Sequence, residues 1–249
     1  MHEILYGLII AVGGSLINFF STKAYGYFTG KSKNFVWQNK YPNIKSYKAP
    51  NNFEELKRRA KIVVIDDEDS FPVALFRAEG YSIDKWEKVL DYGKLESGYY
   101  DIIVLDIKGV AQHISSDDGL GVLESIKRNN PSQIIIAYSQ HSFDLSKANF
   151  WELADEKIAK PSDFLKMKNI IDNLINTQFK PERYINNLHL LLKKNNISEL
   201  EIKRLDNEIS KIIKTKENPN WQKTLAFIDS KTELVKQIIA IGNTILKFF

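Results

Sequence analysis

The first twenty residues show no alternation of polar and apolar positions: ILYGLIIAVGGSLINFF, residues 4–20, carries no charged side chain. As a helix this stretch would be about 26 Å long, the short end of what a bilayer core of roughly 30 Å demands. Tyr6 and the Phe19/Phe20 pair fall where aromatic rings settle at membrane interfaces, and Tyr25, Tyr27 and Phe28 continue the belt. The pattern predicts a transmembrane anchor over 1–22. A cleaved signal peptide competes with it but calls for a basic start, and this chain opens Met1-His2-Glu3 with no Lys or Arg before Lys23. A buried soluble helix is the other alternative. Gly7, Ala11 and Ser15 leave one face small enough for close helix–helix approach, a weak pattern.

Residues 23–60 have no sustained period and read as a linker. From residue 61 short apolar runs alternate with amphipathic stretches. KIVVI (61–65) is a β-branched strand that runs straight into Asp66-Asp67-Glu68-Asp69. A helix follows through Phe71, Val73, Leu75 and Phe76 and stops at Gly80. Tyr81-Ser82-Ile83 reads as a second strand, 84–96 as a helix and DIIVLDI (101–107) as a third strand. A long polar loop, 108–118, leads to a helix over 119–130. QIIIAYS (133–139) is a fourth strand, with a helix near 142–150; a fifth strand covers 156–159 and an amphipathic helix 162–176. Apolar strands separated by helices predict a doubly wound, five-stranded parallel α/β sheet, covered on both faces, over 61–178. Beyond Pro181, residues 182–249 read as a helical region. Within it, 184–196 and 198–214 have apolar stripes, the second at a heptad rhythm compatible with a short coil or a small bundle. The last helix, 232–249, has an apolar face too wide to leave bare; the bundle, a partner or a membrane surface must cover it.

Composition narrows the options. The chain has 249 residues and no cysteine, so disulfides, zinc-thiolate sites and cysteine nucleophiles are excluded. Hydrophobic residues at 43% and charged residues at 27% argue against wholesale disorder. The net charge of +4 is uneven: residues 23–61 hold ten Lys/Arg against Glu54 and Glu55, a local +8. Basic charge directly after the apolar run predicts a juxtamembrane segment on an anionic, cytoplasmic leaflet, and no nucleic-acid partner. A solvated tether without lipid preference is the plainer reading.

In such sheets ligands gather outside the carboxyl ends of the strands, where the strand order reverses. Asp66 and Asp67 end the first strand, Asp106 the third and Ser139 the fourth, and Lys160 follows the fifth. Crowded carboxylates make a hard oxygen site suited to Mg²⁺. With their charge offset, one of them can attack a phosphoryl group while the lysine and hydroxyl hold its remaining oxygens.

The runs IDDE at 65–68, VLDI at 104–107, AYS at 137–139 and AKP at 159–161, in this order and spacing, resemble the receiver domain of two-component response regulators (receiver, or flavodoxin-like, fold) across about residues 60–177. The resemblance implies that Asp106 is the phospho-acceptor and that Asp66, Asp67 and Asp106, with the backbone carbonyl of Lys108, hold Mg²⁺. It implies that Ser139 is the switch hydroxyl, that Lys160 is the paired cation, and that a histidine kinase or small phosphodonor supplies the phosphoryl group. Such a protein is a switch and not a turnover enzyme, and a homodimer stays open. Departures from the pattern are specific. Lys157 stands where receivers usually carry the aromatic residue that turns inward, Gln140 where a small residue normally follows the hydroxyl, and the loop after Asp106 is long. Gln140, His141 and Lys108 flank the path of water to an acyl phosphate and predict an unusual phosphate lifetime. Asp117 and Asp118 either sit near the active edge or cap the helix at Gly119, and capping is the preferred reading. Asp67-Glu68-Asp69 also spells the DxD of haloacid-dehalogenase-like phosphatases, but Phe71 stands where that family needs Thr or Val.

The combined expectation is a single-pass signalling protein of the bacterial cytoplasmic membrane, its receiver on the cytoplasmic side, acting through its C-terminal helices on a protein partner. The alternative is a phosphorylation-independent scaffold on the same fold. His189, with no second ligand spaced to it, reads as a packed or surface histidine.

Overall fold

The β-branched run Lys61–Ile65 forms β1, the second strand of a sheet in which every pairing is parallel, and the computed structural model describes residues 41–48, 52–140, 148–228 and 232–249. The segment before it is part of the same unit: Ile44 and Leu56 are buried, and Asn52 caps helix α1, Phe53–Arg59, by accepting from the Glu54 amide at 3.0 Å. The expected linker over 23–60 is therefore structured over 41–48 and 52–60; residues 23–40 and 49–51, like the proposed span and its Gly7, Ala11 and Ser15 face, lie outside the described residues. Among the described residues no helix is long and apolar enough to cross a membrane.

After β1 come α2 (Val73–Ala78), β2 (Ser82–Trp86), α3 (Tyr92–Glu96) and β3 (Ile102–Leu105). Then follow α4 (Asp118–Asn129), β4 (Ile134–Ser139), α5 (Ala148–Leu153), β5 (Glu156–Ala159) and α6 (Phe164–Thr177). The strand order is β2-β1-β3-β4-β5, so the direction of winding reverses between β1 and β3. The expected helix over 84–96 is corrected. All five residues of β2 pair with β1 from Lys61↔Ser82 to Ile65↔Trp86, and only 92–96 are helical. Backbone pairing with a central strand outweighs the weak helical periodicity of that stretch. The helix expected near 142–150 is described from Ala148 onward and ends at Leu153; 141–147 lie outside the described residues.

Alternation along the strands divides the core. Val63, Ile65, Ile103, Leu105, Ile135 and Ala137 face α4 and α5. Ile62, Val64, Ile102, Val104, Ile134, Ile136 and Tyr138 face α2 and α6, and that cluster runs without a break into α7 (Pro181–Lys194), α8 (Glu199–Thr215), the short α9 (Trp221–Thr224) and α10 (Thr232–Leu246). The expected boundary at 178–182 is thus no break in packing: Phe179 lies with its ring centroid 4.6 Å from that of Phe248. A Ser198/Glu201 capping box starts α8, whose Ile202, Leu205 and Ile209 are buried in the bundle. His189 meets Asp206 at 2.9 Å across the α7–α8 pair, a packed histidine.

The wide apolar face of α10 is covered by α7, α4 and α8. Polar ties from Gln237 and from Lys247, just past the end of α10, reach the amino edge of the sheet, opposite the strand ends that carry Asp66 and Asp106. Gln237 Nε2 donates to the Arg128 carbonyl at 2.6 Å, and Lys247 Nζ reaches the Tyr99 carbonyl at 2.8 Å and Asp101 Oδ1 at 2.7 Å. Asp101 also accepts from the Lys61 amide at 2.8 Å, so one buried carboxylate joins β1, β3 and the C-terminal helix. Burial pushes the Asp101 carboxyl up and the Lys247 ammonium down, with each partner's charge opposing the shift. Breaking such a pair strands the buried charge. Lys247→Met is expected to lower stability by about 2–3 kcal/mol, short of a fully buried pair because Lys247 is 27% exposed. A thermal melt should show a drop of roughly 5–10 °C; a melt within about a degree of wild type would mean the pair contributes nothing.

Candidate functional site

The four strand ends bring the predicted residues together. Asp66 follows β1 and is fully buried; its amide donates to the Trp86 carbonyl at 3.0 Å, which fixes where the carboxylate points. Asp106 follows β3, its amide bound to the Ile65 carbonyl at 2.9 Å. Lys160 follows β5, its amide bound to the Ser139 carbonyl at 3.1 Å. The Lys160 ammonium lies between the two acids, bonded to Asp66 Oδ1 and, at 2.5 Å, to Asp106 Oδ2. Asp106 Oδ1 accepts from the Ile107 amide at 2.6 Å. Asp67 is exposed, yet carboxylate oxygens of Asp66, Asp67 and Asp106 all lie within 4.8 Å of one another. Ser139 is buried at the end of β4; Lys108 is exposed just past Asp106.

Charge governs this cluster. Desolvation and then the neighbouring Asp106 push the Asp67 carboxyl above its usual range. Burial works against the Lys160 ammonium, but its hydrogen bonds to Asp106 and Asp66 and their charges win and raise its pKa. With a folded-state value above the unfolded one, the stability it contributes is complete at neutral pH. That contribution is lost only as pH climbs past the ordinary lysine range. The donor set fits a hard divalent cation: carboxylate oxygens of Asp66, Asp67 and Asp106 are gathered around one point.

Three further side chains complete the site. Lys85, on β2 beside Val64, places its ammonium 3.3 Å from Asp66 Oδ2. Ser70 Oγ is 3.3 Å from the same oxygen and 3.0 Å from the Tyr138 hydroxyl. Because a carboxylate only accepts, Ser70 donates to Asp66, and the Tyr138 hydroxyl therefore donates to Ser70. The Lys160 ammonium also sits 4.8 Å from the Tyr138 ring centroid. Burial pushes the Tyr138 phenol up, which keeps it a donor. Residue patterns hid these three. Lys85 falls in a stretch whose pattern reads as helix although it is strand, Ser70 follows an acidic run like any surface serine, and Tyr138 passes for core in an apolar strand. A lysine at the inward position of a strand beside β1 was the available signal.

The long loop is tightly tied. Asp118 has a φ of +53° and does not cap the helix as expected; its two carboxylate oxygens accept from the Gly109 and Ala111 amides, each at 2.6 Å, and close the loop on itself. Asp117 occupies the N-cap position without a side-chain capping bond. The Val89 amide donates to the Val110 carbonyl at 2.8 Å, so the loop is also pinned to the connection after β2. Gly109 has a φ of +80°, and a Cβ there would lie 2.0 Å from Asp67 Oδ2: the carboxylate rests on the bare glycine backbone. Lys157 is exposed on β5 and Gln140 is exposed after Ser139, so both departures stand at the surface; His141 lies outside the described residues.

No protein-family model matches the sequence, and no curated protein matches it. Solved structures do. The response regulator TrrA of Thermotoga maritima, solved in complex with Mg²⁺ and BeF, is 30% identical, with 46% of this chain and 98% of that one covered at a TM-score of 0.38. The CheY-like receiver domain protein of Methanospirillum hungatei is 19% identical over 48% of this chain and 95% of its own, TM-score 0.39. The receiver domain of a Pseudomonas aeruginosa sensor histidine kinase, solved with a magnesium ion coordinated in its active-site cleft, is 21% identical over 47% and 98%, TM-score 0.39. The superpositions are loose. The β2-β1-β3-β4-β5 order, with the acids and the lysine at its carboxyl edge, gives residues 61–177 the doubly wound parallel arrangement expected of a receiver-like fold.

Gly109→Ala is expected to displace Asp67 and weaken Mg²⁺ binding about tenfold or more. Gly80→Ala is the control: its φ is +87°, but no atom lies within 4 Å of the added Cβ, so it costs backbone strain and leaves Mg²⁺ affinity alone. Equal affinities for the two variants in a calorimetric titration would sink the close-contact account.

Proposed function

We propose that this chain is a membrane-anchored response regulator in which Asp106 is phosphorylated with the help of Mg²⁺. The observation that carries this is the Lys160 ammonium bridging Asp66 and Asp106, with Asp67 within reach of the same cation. When bound, Mg²⁺ would be held by Asp66, Asp67, Asp106 and the Lys108 carbonyl and would offset the charge that otherwise repels a phosphoryl donor. One Asp106 carboxylate oxygen forms the new O–P bond as the bond from phosphorus to the donor's nitrogen or oxygen breaks, the electron pair leaving with the donor. Lys160 stays charged throughout and pairs with a phosphoryl oxygen, and the Ser139 hydroxyl donates to another. A histidine kinase or a small phosphodonor supplies the group. The protein is a switch that returns to its start when water cleaves the acyl phosphate, and exposed Gln140 and Lys108 set how easily water arrives.

The uncharged run 4–20 and the basic segment behind it support a single-pass anchor in the bacterial cytoplasmic membrane, with the receiver on the cytoplasmic side and the basic residues against anionic lipid. Output goes through the C-terminal helices to a protein partner. Their continuity with the core on the α2/α6 side supports transmission through packing and not through release of a separate domain. That same continuity also favours a second reading, a fixed scaffold that needs no phosphorylation.

The two readings separate in one titration. Full-length protein with Mg²⁺ and beryllofluoride, an acyl-phosphate mimic, should give a saturable, Mg²⁺-dependent change in tryptophan fluorescence that Asp106→Asn abolishes. Incubation with a labelled small phosphodonor should leave a hydroxylamine-labile label on wild type only. Silence in both assays would hand the case to the scaffold.

A further inference from the structure

Asp66 is the most heavily engaged group in the site. Its Oδ1 accepts from Lys160; its Oδ2 accepts from Ser70 at 3.3 Å and lies 3.3 Å from Lys85 Nζ. A carboxylate offers about four acceptor positions, so three are already filled by this chain's own donors. Lys160 and Ser70 belong to the receiver's working parts or to the support behind them. Lys85 does not. It reaches in from β2, the edge strand, where it pairs in register with Val64 of β1, and its side chain stays 20% exposed. The ammonium also donates to the Glu68 carbonyl and lies 3.9 Å from Asp69, whose carboxylate is fully exposed.

A second ammonium so close to a buried carboxylate changes what a divalent cation meets. The three acids Asp66, Asp67 and Asp106 face two lysines, so most of the cluster's negative charge is already balanced. Two positive charges crowded onto one carboxylate repel each other strongly where water is scarce. Lys160 lies 5% exposed between two acids and has no open route out. Lys85 has one: its stem is flexible and Asp69 waits at the surface beside it.

We propose that Lys85 is a resident counter-ion of Asp66 that must swing toward Asp69 before a divalent cation can be held, so that it sets the site's affinity for that cation. This deepens the reading of the site as a Mg²⁺ receiver and rests on it. Lys85 makes the site self-neutralised when metal is scarce and raises the Mg²⁺ concentration needed to prime Asp106.

The test is calorimetric titration of the full-length chain with Mg²⁺ alone, without phosphodonor, for wild type, Lys85→Met and Lys85→Arg. Lys85→Met, which keeps much of the aliphatic stem, should bind about three- to tenfold more tightly, and Lys85→Arg should stay within about twofold of wild type. The gain should persist at about 0.5 M salt, where through-space effects between exposed charges are screened. Should Lys85→Met fail to fold, Lys85→Gln takes its place in the same comparison. Unchanged or weaker binding by the uncharged variant overturns the proposal, as does a gain that vanishes at high salt. Normal Mg²⁺ binding with no response to Lys85 overturns this proposal alone; no Mg²⁺ uptake by any variant overturns the metal reading of the site together with it.

Discussion

The Lys160 ammonium between Asp66 and Asp106 is the contact on which the arrangement of the carboxyl edge depends. β1 and β3 are neighbours, so their ends deliver two carboxylates to almost the same place, and a third follows from Asp67. Without a cation that cluster would be strongly repulsive in a region with little water. A lysine from β5, two strands away from β3, supplies the charge, and in doing so it fixes the relative height of β1, β3 and β5. Lys85 adds a second positive charge from the far edge. The sheet is thus spanned at its working end by a line of alternating charge running from β2 to β5, and Ser70 and Tyr138 back that line from behind.

The opposite end of the sheet is closed by the same physics in a different form. Asp101 sits at the amino end of β3, and Lys247 from the last helix neutralises it together with the Lys61 amide. The C-terminal helices therefore cap the amino edge, while the acids stand at the carboxyl edge. Between the two lies the face of the sheet that carries Ile62, Val64, Ile102, Val104, Ile136 and Tyr138, packed against α2, α6 and the C-terminal bundle as one apolar cluster. Any influence of the site on those helices has to cross this packed layer. Tyr138 spans it: the hydroxyl reaches the acid cluster through Ser70, and the ring lies in the cluster, edge-on to Phe71 at 5.4 Å. Its ring also lies 4.8 Å from the Lys160 ammonium, which puts Tyr138 in direct contact with the site.

Much of this was legible beforehand because it depends on local rules. The three apolar strands β1, β3 and β4 show as β-branched or apolar runs, and the order of acids, hydroxyl and lysine along the chain places them at strand ends once the sheet is parallel. The stretch 84–96 reads as a helix because β2 carries Ser82, Asp84 and Lys85, whereas its pairing with a central strand is a non-local fact that also hides Lys85. Asp118 differs from its pattern for a related reason: an acid before a helix usually caps it, but the backbone turns to a positive φ here and the side chain closes the preceding loop instead.

Residue order alone determined the parallel α/β sheet, the placement of Asp66, Asp67, Asp106, Ser139 and Lys160 at strand ends, and the mainly helical character of the described residues beyond 181, because each follows from periodicity or from residue type at a strand end. Tertiary structure decided which cations answer those acids, how Asp67 is seated on Gly109, and that the last helices share a core with the sheet at its amino edge. These are contacts between residues far apart in the chain, set by packing and by the need to neutralise buried charge, and no pattern of neighbours along a sequence encodes them.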